Sequence, residues 1–156
     1  MKVLVIEDDQ YKAKQLITFL HSSFNTTAID IASSVSSGMN KIKSNKFDLI
    51  LLDMSLPTYD VGPSETGGRP QGFGGLELLR YIDRLNILTP IIIVTQYERF
   101  PDKGLKYLDL DSLNTMLLHE HTLTYRGLVF FATTNDNWKN NLRDAIDKIL
   151  ESKTLK

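Results

Sequence analysis

The 156-residue sequence has no cysteine, which excludes disulfides and thiolate metal sites and fits a reducing compartment. It also lacks an excess of basic charge. Its 18 lysines and arginines against 19 acids leave a formal net charge of -1, so the electrostatic footprint of a nucleic-acid binder is missing. No apolar run approaches the roughly 20 residues of a membrane span. The chain enters a strand-like run at Lys2, which leaves no room for a secretion signal before it. Direct nucleic-acid and membrane partners are therefore not expected, and a cytoplasmic location is. The 42% hydrophobic and 24% charged content is that of a soluble globular chain. The length suits one domain over residues 1–156 with an ordinary core.

What is present is an alternation of strand-like and helix-like segments. Lys2 to Ile6 reads as a strand, followed from about Asp9 by a helix with Ala13, Leu16, Ile17 and Leu20 on one face. Thr27 to Ala32 is a second strand, and Ser33 or Ser34 suits the cap of a helix whose inner face carries Val35, Met39 and Ile42. Phe47 to Leu52 is uniformly apolar, as a central parallel strand should be. A helix over Gly75 to Leu85, strands at Ile91–Val94 and Gly127–Ala132, and a last helix over Asn137 to Leu150 complete the series. Strands alternating with helices imply right-handed crossovers and an α/β, flavodoxin-like doubly wound sheet of five parallel strands, order 2-1-3-4-5.

Two segments break the rhythm. Residues 58–73, rich in Gly, Pro and polar side chains, form an insert too long for an ordinary strand-to-helix loop. Residues 96–126 take about thirty positions where one crossover helix would do. Leu105, Leu108, Leu110, Leu113, Met116 and Leu117 suggest one or two helices there, with a turn at Pro101-Asp102-Lys103-Gly104.

The chemistry lies at the strand ends. The run Val3–Ile6 closes in Glu7-Asp8-Asp9, and the run Phe47–Leu52 closes in Asp53. Ligands of open α/β sheets bind outside the carboxyl ends of the strands, where the order reverses. In the expected order, Glu7, Asp8 and Asp53 meet at that point, and Thr95 brings a hydroxyl from the fourth strand. Clustered carboxylates repel one another, so they require a bound cation or raised pKa values. A hard divalent ion with oxygen ligands is the simplest remedy.

These residues carry a resemblance to the receiver domain of two-component response regulators, the CheY-like superfamily. The matching text is Val3-Leu4-Val5-Ile6-Glu7-Asp8-Asp9, then Asp48 to Pro57, Gly75 to Leu79, and Pro90 to Thr95. The resemblance implies that Glu7 and Asp8 are the acidic pair holding Mg²⁺, with the main-chain carbonyl of Ser55 as a further ligand. Asp53 falls on the phosphoacceptor, which takes its phosphoryl group from a histidine kinase or phosphotransfer protein. Thr95 falls on the hydroxyl residue that contacts that group and moves on activation. Enzymatic activity would amount at most to self-phosphorylation from a phosphohistidine or a small phosphodonor.

The family also carries a lysine at the end of the last sheet strand, usually followed by proline. Here Phe131 stands at or near that position, within Val129-Phe130-Phe131-Ala132-Thr133-Thr134. An aromatic cannot supply the missing charge, and Arg69 or Arg126 could do so only if folding returned one of them to the site. Two functions follow from different classes. One is a stand-alone, phosphorylated receiver that signals through an unknown downstream protein. The alternative is a pseudo-receiver, an interaction module that does not use phosphotransfer. A phosphoester hydrolase is disfavoured, because Met54 and Ser55 follow Asp53 where Asp-x-Asp would be needed. Among other residues, His119 and His121 lack an evident third ligand for a metal. The glycines at 67, 68, 72, 74 and 75 lack the lysine and spacing of a phosphate loop. Trp138 and the Phe130-Phe131 pair read as core.

Overall fold

The structure, a computed structural model, describes residues 1–26, 28–60, 74–101 and 107–154. Strand β1 spans Lys2–Ile6, β2 Ala28–Ala32, β3 Leu49–Leu52, β4 Ile91–Thr95, and β7 Tyr125–Phe130. They form one parallel sheet in the order β2-β1-β3-β4-β7, the expected order with β7 as its fifth strand. The helices are α1 Gln10–Ser23, α2 Val35–Ser44, α3 Gly74–Arg84, α4 Leu110–Glu120 and α5 Asn137–Thr154.

The central strands β1, β3 and β4 are buried on both faces because they are apolar at odd and even positions alike. Leu4, Ile6, Ile50, Leu52, Ile91 and Ile93 point into one layer, with α2, α3 and α4. Val3, Val5, Leu49, Leu51, Ile92 and Val94 point into the other, with α1 and α5. Trp138 lies in this second layer, as core, with its ring centroid 4.9 Å from Phe131 and 5.6 Å from Phe19. Among the described residues, no helix is long and apolar enough to cross a membrane.

Local signals set the helix starts. Asp9 caps α1 by accepting from Lys12 N, and Ser34 rather than Ser33 caps α2 in a reciprocal box with Ser37. The buried face of α1 differs from the expected one. It consists of Lys12, Ala13, Leu16, Phe19 and Leu20, while Ile17 is only half-buried. The helix is therefore rotated so that a lysine faces inward.

The chain after β3 runs back over the start of α2, where Val35 N and Ser36 N donate to the carbonyls of Pro57 and Thr58. Asp60 accepts from the hydroxyls of Ser33 and Ser34 at 3.1 and 2.6 Å, which holds its carboxyl below the usual range. The remainder of the expected 58–73 insert, residues 61–73 with Arg69, lies outside the described residues. So do residues 102–106, with most of the expected turn and Leu105.

Between β4 and β7 the chain forms a two-stranded antiparallel ribbon, β5 Arg99–Pro101 with β6 Tyr107–Asp109, before α4 begins. Leu108 thus belongs to a strand, whereas Leu113 and Leu117 are buried in α4 as a helical period requires. A register shift between Ile91 and Ile92 pairs them with Tyr125 and Gly127 and leaves Arg126 in a bulge.

Candidate functional site

The ends of β1 and β3 and the start of α1 build the site. Glu7 follows β1 and is held by Glu7 N donating to Ala32 O at 2.9 Å, which continues the β1–β2 ladder. Asp53 follows β3, with Asp53 N donating to Ile6 O at 3.0 Å. The ends of β1 and β3 are therefore side by side, and one carboxylate oxygen each from Glu7, Asp8 and Asp53 lies within 4.8 Å of the others. This is the grouping of candidate metal-ligating acids among the described residues. Glu7 and Asp53 are buried and Asp8 is exposed.

The α1 cap fixes part of this arrangement. Asp9 N donates to Glu7 Oε2 at 3.0 Å, and Lys12 N donates to Asp9 Oδ1 at 3.0 Å. The next inward side chain is Lys12, fully buried at 0% exposure. Its ammonium lies against Glu7 Oε1, stands 3.2 Å from Asp53 Oδ1, and donates to Val94 O at 2.6 Å. The sequence reading missed this residue. Its signal was present all the same: Lys12 stands four residues before Leu16 and seven before Phe19, on the stripe that α1 buries.

Burial pushes the Glu7 carboxyl up to about 8, against the pull of the Lys12 ammonium, and the charge of Asp53 raises it further. Burial likewise raises Asp53, with Lys12 again opposing. Counting formal charges, three carboxylates against one ammonium leave two negative charges uncompensated when all are ionised. Glu7 Oε1 and Asp53 Oδ1 are buried, with the Lys12 ammonium as their shared charged partner. Two uncompensated negative charges on clustered carboxylates fit a small divalent cation with oxygen ligands.

Around the acids, Met54 and Ser55 follow Asp53 in a bend, and Ser55 is half-buried. The start of α3 is pressed onto this bend: Gly75 N donates to Met54 O at 2.9 Å, and a Cβ on Gly75 would stand 2.4 Å from Asp53 O. Thr95 is buried at the end of β4, one residue beyond the carbonyl that Lys12 engages, and its Oγ1 accepts from Tyr97 N at 3.2 Å.

The other sequence candidates fall elsewhere. Phe131 N donates to Thr95 O at 2.7 Å, which sets the end of β7 beside Thr95, and the Phe131 side chain packs on Trp138. Phe130 is half-buried beside it. Arg126 does not return to the site. It sits at the opposite end of β7, donating to the carbonyls of Thr122, Leu123 and Tyr125. His121 is buried with Nδ1 2.5 Å from Asp83 Oδ2, and His119 is exposed on the last turn of α4.

Residues 3–114 match the family model described as the response regulator receiver domain. The chain is 30% identical over 153 residues to the Detocs response regulatory protein DtcB of Enterobacter cloacae, covering 97% of this chain and 99% of that one. It is 28% identical over 148 residues to an uncharacterised protein of Sinorhizobium fredii, covering 93% and 96%. Among solved structures, a response regulator receiver domain from Clostridium thermocellum superposes with a TM-score of 0.67 at 20% identity, covering 99% of this chain and 97% of that one. A CheY-like receiver domain from Methanospirillum hungatei gives 0.65 at 19%, covering 99% and 98%.

Proposed function

Because the chain belongs to the response regulator receiver family, we propose that it accepts a phosphoryl group on Asp53 and signals by changing its contacts with another protein. The observation that carries this reading is the convergence of Glu7, Asp8 and Asp53 around the buried Lys12 ammonium, one positive charge against three carboxyl groups. In the transfer, an Asp53 carboxylate oxygen attacks phosphorus and forms a P–O bond. The P–N bond to a histidine of the kinase or phosphotransfer protein breaks, and the imidazole leaves with the electron pair. The product is an acyl phosphate.

Glu7, Asp8, Asp53 and the backbone carbonyl of Ser55 would hold Mg²⁺, which when bound supplies charge neutralisation for the transferring group. Glu7 must give up its proton before it can act as a ligand, since its carboxyl is raised to about 8. The Thr95 hydroxyl, now engaged by Tyr97 N, would reorient to donate to a phosphoryl oxygen. A groove of about 800 Å³ runs from Glu7 and Asp8 past Ala13, Ile17 and Ile31, an apolar floor beside the acceptor that suits a docked kinase or phosphotransfer helix. The cytoplasm, where such donors work, is the proposed location.

The second reading, a pseudo-receiver that binds partners without phosphotransfer, is favoured by the absence of a lysine in Val129-Phe130-Phe131-Ala132-Thr133-Thr134, where Phe131 stands at or near the position of the family's lysine. The experiment that separates them is incubation with Mg²⁺ and acetyl phosphate, followed by intact-mass measurement. A labile gain of one phosphoryl group, absent in Asp53→Asn, is the expected result. No gain in a chain that still binds Mg²⁺ would establish the pseudo-receiver instead.

A further inference from the structure

The family's lysine and the one found in this pocket come from different elements, and the structure links the two changes. At the end of β7, Phe131 keeps the backbone position, bonded to Thr95 O, but gives its side chain to the apolar layer of Phe19 and Trp138. That layer lies on the face of the sheet against which α1 packs. From the same face α1 delivers Lys12 to the end of β4, where the ammonium bonds Val94 O beside Asp53 and Glu7. One strand end has lost a cation, and the neighbouring helix supplies one to the same corner.

A fully buried ammonium is costly unless it is matched by charge and hydrogen bonds. Here the ammonium donates to Val94 O and is paired with Glu7 Oε1 and Asp53 Oδ1. Its contact with Asp53 Oδ1, at 3.2 Å, is the one that a phosphoryl group on that carboxylate would take over with its own oxygens. We infer that Lys12 is the residue that pairs with the phosphoryl oxygens on Asp53, replacing from α1 the lysine missing from β7. This rests on the phosphoacceptor reading of Asp53.

The test compares the unaltered chain with Lys12→Met, which keeps length and removes charge. Acetyl phosphate with Mg²⁺ should phosphorylate Lys12→Met more slowly by on the order of 10²-fold, the usual effect of deleting one preorganised donor. Mg²⁺ affinity, read by calorimetric titration, should rise, because a positive charge has left the pocket. The opposite signs separate a phosphoryl partner from a merely structural side chain, whose loss would weaken both. Wild-type phosphorylation of Lys12→Met, or parallel loss of transfer and metal binding, overturns the assignment. Moving the ammonium back, in Lys12→Met with Phe131→Lys, should recover part of the rate.

The unaltered protein gives a second readout that does not depend on folding of a variant. Its Lys12 ¹⁵Nζ resonance should shift when MgCl₂ and beryllofluoride are added together; a resonance that does not move overturns the assignment. If the unaltered chain takes up neither phosphoryl group nor beryllofluoride, the reading of Asp53 fails and this one with it. If it is phosphorylated and Lys12→Met is unimpaired, only the role of Lys12 fails.

Discussion

At Glu7 two opposing effects meet, and their balance can be measured. Burial favours the protonated carboxyl and the Lys12 ammonium favours the ionised one; burial wins, and the group is raised from an ordinary 4.5 to about 8. The unfolded chain therefore releases this proton near 4.5 while the folded chain keeps it to about 8. Between those values the native state holds the extra proton, so stability that is complete below the lower value is lost as pH rises through the upper one. Denaturant melts without metal should show stability falling from pH 5 to pH 8, and Glu7→Gln should flatten that slope. An unchanged slope in Glu7→Gln would assign the titration elsewhere. At this scale the sequence was legible where polarity follows a strand: Glu7, Asp8 and Asp53 end apolar runs, and they meet. Lys12 was not legible in the same way, because a lysine in an amphipathic helix normally marks the solvent side, and only the phase of the whole stripe places it inside.

The elements show which local rules were strong enough to read. Uniformly apolar strands and the spacing along α5 each have one physical solution, and the structure adopts it; at the start of α2 two serines were open, and Ser34 takes the cap. The β5–β6 ribbon could not be read. Arg99–Pro101 and Tyr107–Asp109 are three residues each, too short for periodicity to distinguish them from a loop. Helix α3 carries its own constraint. Its first turn touches the bend after Asp53 so closely that a methyl group on Gly75 would overlap Asp53 O and stand 2.8 Å from Met54 Cα. Since both are backbone atoms, α3 must move. Gly75→Ala should cost about 1–3 kcal/mol, visible as a lower midpoint in urea unfolding, and should also slow acceptance of phosphate by displacing Asp53. A variant as stable as the parent would show that the helix shifts freely.

For the molecule as a whole, the sheet order brings the chemistry together, since β1 and β3 must be neighbours for their terminal acids to share a cation. Such a site exists only in the folded chain, so Mg²⁺ should stabilise the entire fold by about 2.7 kcal/mol at a hundredfold excess over its Kd. The rise in Tm should be larger at pH 8 than at pH 6, because proton release from Glu7 accompanies binding. Sodium chloride at matched ionic strength controls for simple screening. Equal shifts at both pH values would mean that Glu7 does not ligate.

The seat of Lys12 divides labour along the chain. Glu7, Asp8, Lys12 and Asp53, the charged groups described in this pocket, all precede residue 54, while β7 and α5 contribute aromatic and aliphatic filling. The buried faces of β7 and α5 are thereby free to vary as hydrophobic packing, chosen for volume, while the charges of this pocket stay encoded in the opening β-α-β-α-β stretch.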